Sequence, residues 1–97
     1  MSADELTLKV GTPDEVFFEG TVRHVMAPGA LGYLGILKNH APLVTSLTPG
    51  RFVYSDLAGQ TKTFQVQGGF LEVLKNRVLV LVDKITAENP PLQGIGN

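Results

Sequence analysis

Thr61-Lys62-Thr63-Phe64-Gln65-Val66-Gln67 leads into Gly68-Gly69, and a little further on Lys75-Asn76 precedes Val78-Leu79-Val80-Leu81-Val82. Lys62, Phe64 and Val66 alternate with Thr61, Thr63, Gln65 and Gln67, a period of two that sends the apolar and polar rows to opposite faces of a strand. The polar face is expected to be wet. Val78 to Val82 is apolar at every position and β-branched at alternate ones, which suits a strand buried on both faces or lying centrally in its sheet.

The same pattern extends outward. Leu6, Leu8 and Val10 alternate with Thr7 and Lys9, and Phe52, Tyr54 and Asp56 alternate with Arg51, Val53 and Ser55. Turn formers recur between such segments: Gly11-Thr12-Pro13-Asp14, Glu19-Gly20, Pro28-Gly29, Lys38-Asn39, Thr48-Pro49-Gly50 and Asp56 to Gly59. With 11 Gly and 6 Pro in 97 residues so distributed, almost no window accommodates a helix of useful length. Eight to ten short strands are expected, in an all-β fold that reads as an antiparallel β-sandwich or barrel, with two packed sheets as the first choice. The sandwich is expected over residues 1–84. Residues 85–97 are expected to form a short irregular tail, because Asn89-Pro90-Pro91 forbids a regular helix across it.

A chain of 97 residues with 43% hydrophobic content can close one core and seldom divides into two. Eight Lys+Arg against nine Asp+Glu leave a net charge of −1, so electrostatic capture of nucleic acid or an anionic membrane is excluded as a main function. The absence of cysteine removes a disulfide scaffold, a thiolate zinc site and a cysteine nucleophile. Met1-Ser2-Ala3-Asp4-Glu5 is acidic where a signal peptide is basic, and the apolar run at Val78–Val82 falls far short of the ~20 residues of a membrane span. A soluble protein, or one held at a membrane through a partner, is expected.

Catalytic constellations are not visible. His24, inside Thr21-Val22-Arg23-His24-Val25-Met26, reads as a surface or structural histidine, whereas His40, in a loop before Ala41-Pro42, is better placed for a partner contact. Neither has an acidic neighbour at metal-ligand spacing. Ser46 and Ser55 lack a nucleophile elbow. Gly29-Ala30-Leu31-Gly32-Tyr33-Leu34-Gly35 superficially matches a nucleotide fingerprint, but that motif needs a following helix whose amides hold phosphate, and here Ile36-Leu37 continues a strand. Two readings of this glycine-rich segment stand side by side: an apolar surface offered to another protein, or a folded-over hairpin whose Leu and Tyr complete the core.

Several ordered motifs give the chain a family likeness. Leu8-Lys9-Val10-Gly11-Thr12-Pro13-Asp14 with Val16-Phe17-Phe18-Glu19-Gly20-Thr21-Val22 is followed by Met26-Ala27-Pro28-Gly29, Leu34-Gly35-Ile36-Leu37 and His40-Ala41-Pro42-Leu43-Val44-Thr45. Thr48-Pro49-Gly50, Val66-Gln67-Gly68-Gly69-Phe70-Leu71-Glu72-Val73 and Val78 to Asp83 complete the series. Over about Leu6 to Asp83 the chain resembles the epsilon subunit of F-type ATP synthase, called delta in mitochondria. The resemblance implies a ten-stranded sandwich at the foot of the central stalk, a non-catalytic rotor subunit that links the gamma subunit to the c-ring and couples proton transport to ATP synthesis. It implies no cofactor, and membrane association only through the complex, on the cytoplasmic face of a bacterial inner membrane. Gly29, Ala30, Leu31, Gly32 and Tyr33 are then expected to meet the c-ring, and His40, Ala41, Pro42 and Leu43 to meet gamma or the ring.

Two departures from the family pattern stand out. Tyr33 occupies a position where many members carry an acidic residue, and Lys38-Asn39 replaces the usual Pro-Gly, a turn that Asn sustains because it tolerates left-handed backbone. Many members append a helical hairpin that inhibits hydrolysis or binds ATP; with Pro90-Pro91 where that hairpin would begin, neither property is expected of these residues. The rival expectation is a free-standing sandwich that recognises carbohydrate or an extended peptide, with only 7% aromatic residues and no Trp to support sugar stacking.

Overall fold

A computed structural model describes residues 5–87 of the chain. Among them are nine strands: β1 (Thr7–Thr12), β2 (Glu15–Gly29), β3 (Gly32–Ile36), β4 (Leu43–Ser46), β5 (Gly50–Asp56), β6 (Thr61–Gln67), β7 (Phe70–Leu74), β8 (Arg77–Leu81) and β9 (Lys84–Ala87). They form one hydrogen-bonded path, β4-β7-β8-β1-β2-β5-β6-β9, with β3 added to β2.

The 15-residue β2 turns this path into two layers. Its Glu15–Thr21 stretch pairs with β1, whereas Val22–Gly29 pairs with β5 and β3. A register shift between Val22 and His24 inserts Arg23 as an extra residue, the local bend by which one strand serves two sheets. Each layer therefore has five strand segments, β4, β7, β8, β1 and the start of β2 against the rest of β2 with β3, β5, β6 and β9. The ten strands implied by resemblance are ten segments carried by nine strands.

The rows read from periodicity meet between the layers. Leu8, Val10, Leu71, Val73, Val78 and Val80 from one layer, and Val25, Ala27, Ile36, Phe52, Tyr54 and Val66 from the other, belong to one buried cluster. Tyr54 stacks on Phe18 at 4.4 Å between ring centroids and on Phe64 at 6.2 Å. Burial, and then the nearby Asp56 charge, push its phenol above the usual tyrosine range. On β6, Thr61, Gln65 and Gln67 are exposed while Val66 is buried, as the alternation requires.

Two expectations need correction. The sandwich is not wholly antiparallel, because β1 runs parallel to β8 from Thr7↔Arg77 to Gly11↔Leu81. These strands lie far apart in sequence, so no tight hairpin forces them antiparallel. The expected boundary after residue 84 also falls inside the sheet. β9 pairs Lys84–Ala87 with β6, and Ile85 packs on the core opposite Val66, so burial carries the sheet onward. The rest of the expected tail lies outside the described residues. As foreseen, β8 lies centrally in its layer, though its two faces differ: Val78 and Val80 are buried while Leu79 and Leu81 are half-buried.

Candidate functional site

The glycine-rich segment is the β2–β3 hairpin. Gly29 pairs with Gly32 and Pro28 with Tyr33 across an Ala30-Leu31 tip. The tip is tied to the chain entering β5: the Ala30 amide donates to the Ser46 carbonyl at 3.1 Å, and the Thr48 amide and hydroxyl donate to the Pro28 carbonyl at 2.8 and 3.2 Å. An isolated bridge joins Gly29 to Leu47, whose side chain is buried. Backbone hydrogen bonds so distributed hold a hairpin tip in place where free loops are mobile.

Of the two readings of this segment, the surface one fits Leu31 and Tyr33. Leu31 is fully exposed at 102% and Tyr33 is 56% exposed, while Leu34, opposite buried Ala27, is half-buried. The Tyr33 Oη accepts the Arg51 amide N–H at 3.0 Å. Glycine at position 50 leaves room for this contact, since a Cβ there would stand 3.0 Å from both the Tyr33 hydroxyl and Pro28.

His40, Ala41, Pro42 and Leu43 lie beyond the opposite end of β3, a five-residue strand that spans about 13 Å. The two groups of expected contact residues thus occupy two sites. Asn39 sits at φ 68, so the turn expected from Lys38-Asn39 does form. The His40 amide donates to the Leu37 carbonyl at 3.2 Å, and His40 Nδ1 lies 2.7 Å from the Ala41 carbonyl, which makes Nδ1 the protonated ring nitrogen. Ala41 and Pro42 are exposed. Leu43 instead packs on the core opposite Val73, so it anchors the loop rather than presenting it. His24 is half-buried on β2 opposite Ser55, and among the described residues no group of His, Cys, Asp and Glu is arranged to hold a metal ion.

Sequence reasoning missed Asn76. It lies in the β7–β8 turn, where Lys75 and Asn76 both have positive φ, the twist favoured by two-residue hairpins. Its Oδ1 accepts the Asn39 amide N–H at 2.6 Å, its Nδ2 donates to Asn39 Oδ1 at 3.3 Å, and its carbonyl accepts the Thr7 amide at 2.9 Å. Two Asn residues 37 positions apart therefore clasp the His40 loop to the sheet. Lys75-Asn76 was legible as a turn, but its partner was not. Asn76→Gly retains the positive φ and removes the side-chain clasp. It is expected to destabilise the chain by about 1–2 kcal/mol and to speed amide exchange at Asn39 and His40, both readable by urea melts and hydrogen exchange. Unchanged exchange there would dismiss the clasp.

The outer face of β7, β8, β1 and β2 carries a shallow concavity of about 990 Å³. Lys9, Glu19, Glu72, Leu74, Arg77 and Leu79 line it, and none of the expected contact residues does. Glu72, Leu79, Lys9 and Glu19 are successive cross-strand neighbours, a solvated row of mixed charge.

Known proteins resemble this chain in sequence and fold. The family model described as ATP synthase, Delta/Epsilon chain, beta-sandwich domain matches residues 5–88. The ATP synthase epsilon chain of Anaeromyxobacter sp. (strain Fw109-5) is 47% identical over 83 residues, covering 86% of this chain and 61% of the relative. The ATP synthase epsilon chain of Chlorobaculum tepidum is 39% identical over 80 residues, covering 82% of this chain and 91% of the relative. Relatives from Desulfosudis oleivorans and Syntrophomonas wolfei are matched over 61% and 64% of their lengths, so the chain spans about three fifths of several relatives. A chain in the Euglena gracilis mitochondrial ATP synthase has the same fold, with a TM-score of 0.81 at 21% identity over 87% of this chain and 54% of that one. One in the Tetrahymena thermophila central stalk and c-ring structure gives 0.69 at 19% identity, over 84% and 65%.

Proposed function

Because the chain belongs to the family of ATP synthase delta/epsilon chain beta-sandwich domains, we propose that it serves as a non-catalytic rotor element that joins the gamma subunit to the c-ring. Torque transmission requires a body that keeps its shape and grips two partners at separate places. The observation that carries this reading is the pair of tethered surfaces at the two ends of β3. At one end a hairpin pinned through Ser46, Leu47 and Thr48 holds out Leu31 and Tyr33, and at the other a loop clasped by Asn76 holds His40, Ala41 and Pro42.

In this reading Gly29 to Tyr33 meet the ring, and His40 to Pro42 meet gamma or the ring, with Leu43 as their anchor. Among the described residues no helix is long and apolar enough to cross a membrane. Attachment is proposed to run through the complex, on the cytoplasmic face of a bacterial membrane.

The primary experiment is co-purification with gamma, with near-stoichiometric recovery expected and a stable monomer that ignores gamma as the contrary outcome. A sharper version uses Leu31→Asp. With the leucine fully exposed in the free chain, the substitution is expected to change stability by no more than about 0.5 kcal/mol. A leucine that becomes buried on binding is worth about 1.5–3 kcal/mol, so affinity for the purified ring is expected to fall by a factor of about 10–100. Full affinity in that variant would remove Leu31 from the contact.

A further inference from the structure

We infer that Tyr33 presents an oriented hydroxyl proton to a carboxylate of the partner covering the hairpin, an inference that rests on the ring-contact reading above. A phenol oxygen offers one donor and two acceptor lone pairs. In Tyr33 the Arg51 amide uses a lone pair, and among the described residues no acceptor takes the hydroxyl proton. The side chain is half exposed, so its donor is available to an incoming molecule.

The arrangement also aims and strengthens that donor. Gly50 admits the hydroxyl to close range of the backbone, and the Arg51 N–H fixes the oxygen at the edge of β5. An N–H donated into a hydroxyl oxygen polarises its O–H bond, which makes the second hydrogen bond in the chain stronger.

A carboxylate is the acceptor that gains most from such a donor, because hydrogen bonds to ionised groups are shorter and about twice as strong as neutral ones. Residues 29–35 and 46–50 contain no acidic side chain to repel it. An acidic side chain at position 33 would offer the opposite chemistry, an acceptor that selects a cation. Tyrosine here therefore acts as a specificity-determining residue that reverses the polarity of the contact.

The test compares the full chain with Tyr33→Phe and Tyr33→Glu for binding to the purified, detergent-solubilised c-ring of the same organism, with thermal melts of each variant alone. Tyr33→Phe is expected to weaken binding about 10-fold. Tyr33→Glu is expected to weaken it at least as much, since it retains oxygen acceptors but places a carboxylate against a carboxylate. Changing the partner's contacting Asp or Glu to its amide should remove most of the difference between wild type and Tyr33→Phe, as a coupled pair requires.

Undiminished binding by Tyr33→Phe overturns the inference. So does tighter binding by Tyr33→Glu, which would reveal a cation on the partner. A Tyr33→Phe effect that persists after every facing carboxylate is amidated overturns it in favour of a main-chain carbonyl. These outcomes all leave the ring-contact reading intact. A wild-type chain that binds neither ring nor gamma overturns that reading and this inference with it.

Discussion

Phe52→Ala is expected to destabilise the chain by about 3–5 kcal/mol, the cost of emptying a large aromatic from a closed core. Phe52 is fully buried, pairs with Phe64 on β6, and lies one inward position from Tyr54, whose ring stacks on Phe18 and Phe64. A domain of this size holds about 5–15 kcal/mol in total, so the substitution removes a large share of it. Urea titration should show the midpoint falling with the slope unchanged, the pattern of lost stability in an otherwise similar native state. The loss also bears on the site, because β5 begins with the Gly50-Arg51 backbone that seats Tyr33. A cost below about 1 kcal/mol would contradict a core closed over Phe52, since partial collapse rarely offsets so large a void.

Gly69→Ala is expected to be nearly as damaging, for a different reason. Gly69 lies between β6 and β7 at φ 111, and a Cβ there would overlap the Leu81 carbonyl oxygen and stand 2.6 Å from Val82 Cα. Both obstacles are backbone, so no side-chain rotation relieves them. Strain in that region of φ costs about 1–3 kcal/mol, and displacement of β8 adds to it, giving a loss of about 3 kcal/mol or more. Gly59→Ala is the control: Gly59 has φ 90 but open space where a Cβ would stand, so only the conformational cost applies. Equal losses in the two variants would show that the close approach of Gly69 to β8 contributes nothing. Gly69 also accepts the Leu47 amide at 2.9 Å. Its substitution should therefore speed amide exchange at Ala30, whose hydrogen bond ends on neighbouring Ser46.

Much of the candidate site was legible as motif and little of it as geometry. The Gly29–Tyr33 segment stood out because apolar residues interrupt a turn-rich stretch, yet its composition equally suited a core hairpin. Only the pairing Gly29↔Gly32, with Leu47 beneath it, turns Leu31 outward. His40 was legible as a loop residue, but Asn76, which holds that loop through Asn39, carried no sequence signal beyond its own turn. Tyr33 stands out in the sequence only by its residue type. The Arg51 amide that occupies one of its lone pairs belongs to β5, across β2 from Tyr33's own strand, and only the assembled sheet brings the two together.

The sequence by itself determined the local grammar of this protein. The period of two on β6, the continuous apolar run of β8 and the turns at Lys38-Asn39 and Lys75-Asn76 follow from side-chain alternation and backbone sterics, which act between near neighbours. Tertiary structure alone decided that β1 lies parallel to β8, that β2 bends at Arg23 to serve both layers, that β9 extends the sheet through Ala87, and that the expected contacts divide between the two ends of β3. These outcomes rest on contacts between distant segments. A strand's side chains set which face it buries, but an open hydrogen-bonding edge accepts any strand that the closing core brings beside it.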